Sequence, residues 1–169
     1  ETSTGAEDTV ILSYITAARR YCERFQNRSY MEQTWDLVLD KFPNEDYIEI
    51  PRPPLISVTY LYYYGTGGTA NTMSSDDYDV DTDSEPGRLY LGYSETWQSE
   101  TLRPSNGVKV RFVAGYGSVA SSVPTEIKQA IKLIVGQMYE NREAVAAQRF
   151  GGELNEVAYG VESMLWLDR

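Results

Sequence analysis

Two periods divide the chain. From about residue 6 to residue 27, Ile11, Tyr14, Ile15, Ala18, Cys22 and Phe25 recur at three- and four-residue steps. That spacing puts them on one face of an amphipathic helix, with Arg19, Arg20, Glu23 and Arg24 over much of the opposite side. Thr4 followed by Glu7 matches a capping box at its start. From about Gln33 to Val113 the period falls to two, the mark of half-buried strands. Trp35, Leu37 and Leu39 alternate with Asp36 and Val38, and Ile48 and Ile50 form a short second strand closed by Pro51, Pro53 and Pro54. The longest strand runs from Ile56 to Tyr64. Strict alternation puts Ile56, Val58, Tyr60, Tyr62 and Tyr64 on one face and Leu55, Leu61 and Tyr63 on the other, which predicts cover on both faces.

Gly65 to Gly68 supplies a flexible turn, and Tyr78 and Val80 pair with Leu89 and Leu91 across a hairpin spanning Asp83 to Gly87. Val108, Val110 and Phe112 alternate with Lys109 and Arg111 in the last strand. Gly92 to Asn106 reads as a long polar loop carrying Trp97. The helical period then returns near Pro124, with Ser121 or Ser122 as cap. Ile127, Ala130, Ile131, Ile134, Val135 and Met138 form a stripe that continues to about Val145. Gly151 and Gly152 break the chain before a weakly patterned apolar end containing Leu154, Val157, Val161, Met164, Leu165 and Leu167. The expected fold class is therefore α+β. Residues 1–30 and 118–150 make a helical body of two long helices, 31–117 an inserted small antiparallel β-sheet, and 151–169 a C-terminal docking segment. No internal repeat is visible.

Composition changes this picture in two places. The chain has fourteen tyrosines against four phenylalanines, and tyrosine, apolar in body and polar at its tip, suits half-buried sheet faces and interfaces. The formal net charge is −10, from fifteen basic and twenty-five acidic residues. That balance argues against sequence-specific nucleic-acid binding, which needs a basic patch to neutralise phosphates. An acidic surface serves solubility, and beside DNA it also prevents sticking. No stretch approaches the roughly 20 apolar residues of a membrane span, and no signal-peptide pattern is read.

The inventory leaves little to catalyse with. There is no histidine, hence no Ser–His or Cys–His pair and no imidazole metal ligand. The single cysteine, Cys22, excludes an internal disulfide and a cysteine-built metal site, and its place on the apolar stripe marks a small buried hydrophobe. Gly115-Tyr116-Gly117 follows a strand but lacks phosphate-cradling spacing, so it reads as a tight turn. Asp79, Asp81 and Asp83 reproduce the first three ligand positions of a calcium loop. Ser84 replaces the required glycine and Tyr90 the closing glutamate. Paired carboxylates at glycosidase spacing discriminate nothing in so acidic a chain. The reading is a non-enzymatic protein with no cofactor or metal, acting by docking onto other subunits.

In this order, the segments resemble a known family. Ser13 to Glu23 is similar to the opening helix of tailed-phage head–tail connector (adaptor) proteins. Gln33 to Asp40 and Pro51 to Val58 resemble the branch of that family with a β insertion. Asp77 to Asp81, Pro86 to Leu89, Val110 to Gly117, Pro124 to Ala130, Tyr139 to Glu143 and Gly160 to Leu165 continue the likeness. The family's short upstream helical segment is not matched, nor is the loop around Trp97.

The resemblance implies a subunit of a ring, typically dodecameric, in the neck of a phage or phage-like particle assembled in the bacterial host cytoplasm. Its partners would be the portal protein on one side, a stopper or tail-completion protein on the other, and further copies of itself. DNA would pass through the middle without specific binding. On this reading Val161, Met164, Leu165, Trp166 and Leu167 dock on the portal, the alternative being a tail folded back on its own subunit. Arg19, Arg20, Arg24, Lys128, Lys132 and Arg142 are ring-interface candidates, the alternative being a solvated helix face. A competing function is a β-sheet module that recognises a glycan or protein through Trp97 and the tyrosines.

Overall fold

The computed structural model describes residues 5–140, 160–161 and 163–166. They fall into two compact units, one drawn from 1–27 with 123–169 and the other from 28–122. The first is helical. Helix α1 (Gly5–Gln26) carries Glu7 and Asp8 in its first turn and Arg24 in its last, each placed to complement the helix dipole. It ends at Asn27, whose φ of 55° is the left-handed turn that closes many helices. The Thr4 side of the expected capping box lies outside the described residues. Helix α2 (Thr125–Glu140) starts directly after Pro124, whose carbonyl accepts the Lys128 N–H at 3.2 Å. The expected run to Val145 likewise passes beyond the described residues.

The two helices pack on each other, and Ala18 and Cys22 on α1 and Ile127 and Ala130 on α2 are buried. The Tyr139 hydroxyl at the end of α2 donates to Glu7 Oε1 at 2.8 Å at the start of α1. Ile15, expected on the buried stripe, is 42% exposed. Glu23, expected on the opposite side, is 8% exposed and Gln26 is 3% exposed, so toward its C-terminal end the buried face of α1 extends past the apolar stripe onto polar side chains.

The second unit corrects the expected fold class. A helical body with one small inserted sheet was anticipated; α+β holds, but the β part is two antiparallel sheets and is no minor insertion. Among the described residues the strands are β1 (Gln33–Leu39), β2 (Tyr47–Ile50), β3 (Leu55–Tyr64), β4 (Ala70–Thr72), β5 (Tyr78–Asp81), β6 (Gly87–Leu91) and β7 (Val108–Ala114). A four-stranded sheet has the order β1-β7-β3-β4 and a three-stranded sheet the order β2-β6-β5. The physical reason is burial: one sheet alone leaves its apolar face in water. Here Leu61, Val108, Val110 and Phe112 of the larger sheet share a core with Ile48, Ile50 and Leu89 of the smaller. The prolines after Ile50 end β2 and carry the chain from one sheet to the other.

Face assignment on β3 also needs correction. Its register against β7 shifts between Leu55 and Ser57 and again between Val58 and Tyr60. These irregularities turn Val58 inward to the core with Leu61 and Tyr63, leaving Tyr60, Tyr62 and Tyr64 outward. Nor are both faces covered, since Ile56 is 41% exposed. At the end of β7, Gly115 has φ 135°, and a Cβ there would stand 2.5 Å from the Met31 carbonyl oxygen. Only glycine lets these backbones approach so closely.

Candidate functional site

Surface chemistry concentrates on the outward faces of the two sheets. On the larger sheet, Asp36 of β1 lies opposite Arg111 of β7, which lies opposite Tyr60 of β3. Arg111 grips Asp36 with a two-pronged fork, Nε to Oδ1 at 2.7 Å and Nη2 to Oδ2 at 2.8 Å, and Lys109 Nζ adds a contact at 2.7 Å. The Arg111 hydrogen bonds, followed by that of Lys109, hold the Asp36 carboxyl well below the usual carboxylate range. The same contacts push both bases up. Arg111 lies over the Tyr60 ring at 5.0 Å, and Tyr60 stacks on Tyr62 with ring centres 4.0 Å apart. Arg103 covers Tyr64 at 4.0 Å.

The smaller sheet repeats the theme with the opposite charge. Tyr47 and Tyr90 face each other across β2 and β6 with ring centres 5.3 Å apart. Arg88 donates to the Tyr90 hydroxyl at 2.9 Å and lies over Tyr47 at 5.4 Å. Glu49, Asp79 and Asp81 share this face. Asp81 is also the cap of the following turn: its Oδ1 accepts the N–H groups of Asp83 and Ser84, and the Ser84 contacts lower its pKa. The acidic run considered for calcium is thus folded around Asp81. Among the described residues, no three carboxylate, thiol or imidazole groups cluster to hold a metal ion.

The expected portal-binding residues separate by helical phase. Val161 and Leu165 are buried, and the Leu165 carbonyl accepts the Gln26 side-chain amide at 2.7 Å. Met164 and Trp166 point outward, 39% and 63% exposed, and Leu167 lies outside the described residues. Of the expected ring-interface cations, Arg20, Arg24 and Lys132 are exposed, and Arg19 and Lys128 are half-buried. Arg19 also sits 3.9 Å from Glu23 one turn on. Arg142 lies outside the described residues. The structure adds apolar side chains the stripe analysis passed over: Leu12 on α1 and Leu133 on α2 are solvent-facing. Leu12 was legible as an apolar residue off the main stripe.

Two further groups are accounted for internally. Trp97 stacks on Phe42 with ring centres 5.0 Å apart, and its indole N–H donates to the Glu45 carbonyl at 2.8 Å. Burial pushes the Cys22 thiol up to about 12, which keeps it protonated and unreactive. No helix among the described residues is long and apolar enough to cross a membrane.

Tyrosines lie on two sheet faces with charges set between them, a composition common at protein interfaces. The chain belongs to the head completion protein family, whose sequence model matches residues 1–160. No curated protein matches it. Among solved structures it is similar to a chain in the neck of an empty gene transfer agent particle computed with C6 symmetry. That match has a TM-score of 0.79 and 24% identity, and covers 100% of this chain and 81% of the other. A chain of the native gene transfer agent virion matches with a TM-score of 0.77 at 24% identity, covering 98% and 79%. A chain in the neck of the native particle computed with C12 symmetry matches with a TM-score of 0.72 at 24% identity, covering 95% and 81%. At this identity the likeness is one of fold.

Proposed function

We propose that this chain is a non-catalytic structural subunit of a ring-shaped head–tail connector, probed best in the neck of a phage or phage-like particle. The ring would join the portal to the stopper or tail-completion protein, with twelve copies around a channel for DNA. The observation that carries this reading is the head completion family match across residues 1–160. The likeness in fold to neck chains from particles solved with sixfold and twelvefold symmetry supports it. An acidic chain of net charge −10 suits a conduit that must release its cargo.

Within this reading the end of the chain meets the portal through Met164 and Trp166, while Val161 and Leu165 hold that segment to its own subunit. Arg20, Arg24 and Lys132 remain ring-contact candidates on the helical unit. The test is to supply particles lacking the chain with either the wild type or Trp166→Asp. Wild type restores necks with attached tails. Trp166→Asp, at a side chain 63% exposed, should keep the wild-type circular dichroism spectrum yet fail to co-sediment with portal rings. Normal tailed particles in the complete absence of the chain would sink the connector role; unimpaired portal binding by Trp166→Asp would sink this docking surface alone.

A further inference from the structure

We propose that neighbouring copies join through their β units, the outward face of the four-stranded sheet of one copy packing on the outward face of the three-stranded sheet of the next. This rests on the ring reading and specifies its contact. A closed ring built from one chain needs two different, mutually complementary patches on each subunit, since its interface is head-to-tail. The two sheets share one core, so their outward faces point in opposite directions, as such an interface requires. Both faces are paved with tyrosine, Tyr60 with Tyr62 on one and Tyr47 with Tyr90 on the other. Their charges are opposed. The larger sheet sets Lys109 and Arg111 against the single carboxylate of Asp36. The smaller sets Glu49, Asp79 and Asp81 against the single Arg88. Cations left in excess on one face meet carboxylates left in excess on the other, an arrangement that selects the head-to-tail pairing over like faces meeting.

The test uses the full chain with one new cysteine on either face, Val38→Cys or Thr72→Cys on the larger sheet and Glu49→Cys or Asp79→Cys on the smaller. All carry Cys22→Ala, which removes the native thiol. Purified protein and assembled particles are treated with a short bismaleimide. Mixed single-cysteine chains should give dimers only between unlike faces, and a chain carrying both cysteines should give a ladder. Lys109→Glu with Arg111→Glu should cut the yield on the order of tenfold, a coupling of about 1.4 kcal/mol, and Asp79→Lys on a partner carrying Glu49→Cys should restore it. If the first pair melts early, Asp79→Lys against the unaltered larger sheet alone carries the charge test, and should itself cut the yield. Links between like faces, or no unlike-face link in either preparation, overturn the proposal. A chain present in necks without these links overturns it while leaving the connector role intact. Links formed by a chain absent from necks leave the contact standing and remove the role.

Discussion

Asp36 is an unremarkable polar position in the sequence, one partner in an alternation. In the fold it becomes the carboxylate that holds two cations across β1 and β7, because antiparallel register sets it opposite Arg111. Its folded pKa is depressed, so its stabilisation is fully present above the unfolded value of about 3.9 and is lost as pH falls through the folded value. Asp36→Asn should lower stability by up to about 1 kcal/mol at neutral pH, since the site is partly solvated. In thermal melts that is a fall of about 2–4 °C, and the gap to wild type should close only well below pH 4. A gap unchanged at pH 2 would reject this account. Cys22 was legible from its stripe alone, and its buried thiol is pushed up to about 12. Iodoacetamide at pH 8 should leave it unmodified in the folded chain and label it completely in denaturant, as mass spectrometry will read.

At the scale of elements, periodicity found both long helices and most strands because burial of one face is a local pattern. It misjudged what depends on neighbours. Tyr60 and Val58 lie on opposite faces only because the β3 register slips against β7, and nothing in the alternation announces a slip. β7 is the central element, paired with β1 on one side and β3 on the other, with Phe112 1% exposed. Phe112→Ala should therefore cost about 3–5 kcal/mol, measured by urea unfolding; a loss below 1 kcal/mol would mean the shared core is less continuous than described. The stretch proposed to dock on the portal shows the same limit. Its five residues read as one apolar patch, and the helical phase assigns Val161 and Leu165 inward but Met164 and Trp166 outward.

At the scale of the whole molecule, the acidic balance is a property of composition and carries its own prediction. The chain should give no duplex DNA gel shift at about 0.15 M salt, where non-specific contacts depend on phosphate neutralisation. A shift that weakens steeply with added salt would overturn the non-sticking conduit. Family membership over residues 1–160 belongs to this scale too, because the ordered succession of segments carries it and no single motif does.

The sequence by itself determined the α+β composition, the two long helices, most of the strand-forming stretches, the absence of histidine and the family. Each follows from residue identity or from local periodicity. Only the tertiary structure decided that the strands divide into two sheets around one core, which tyrosines face outward, and that their charges separate onto opposing faces. Those outcomes depend on long-range pairing and on burying two apolar faces at once, which no window of the chain contains.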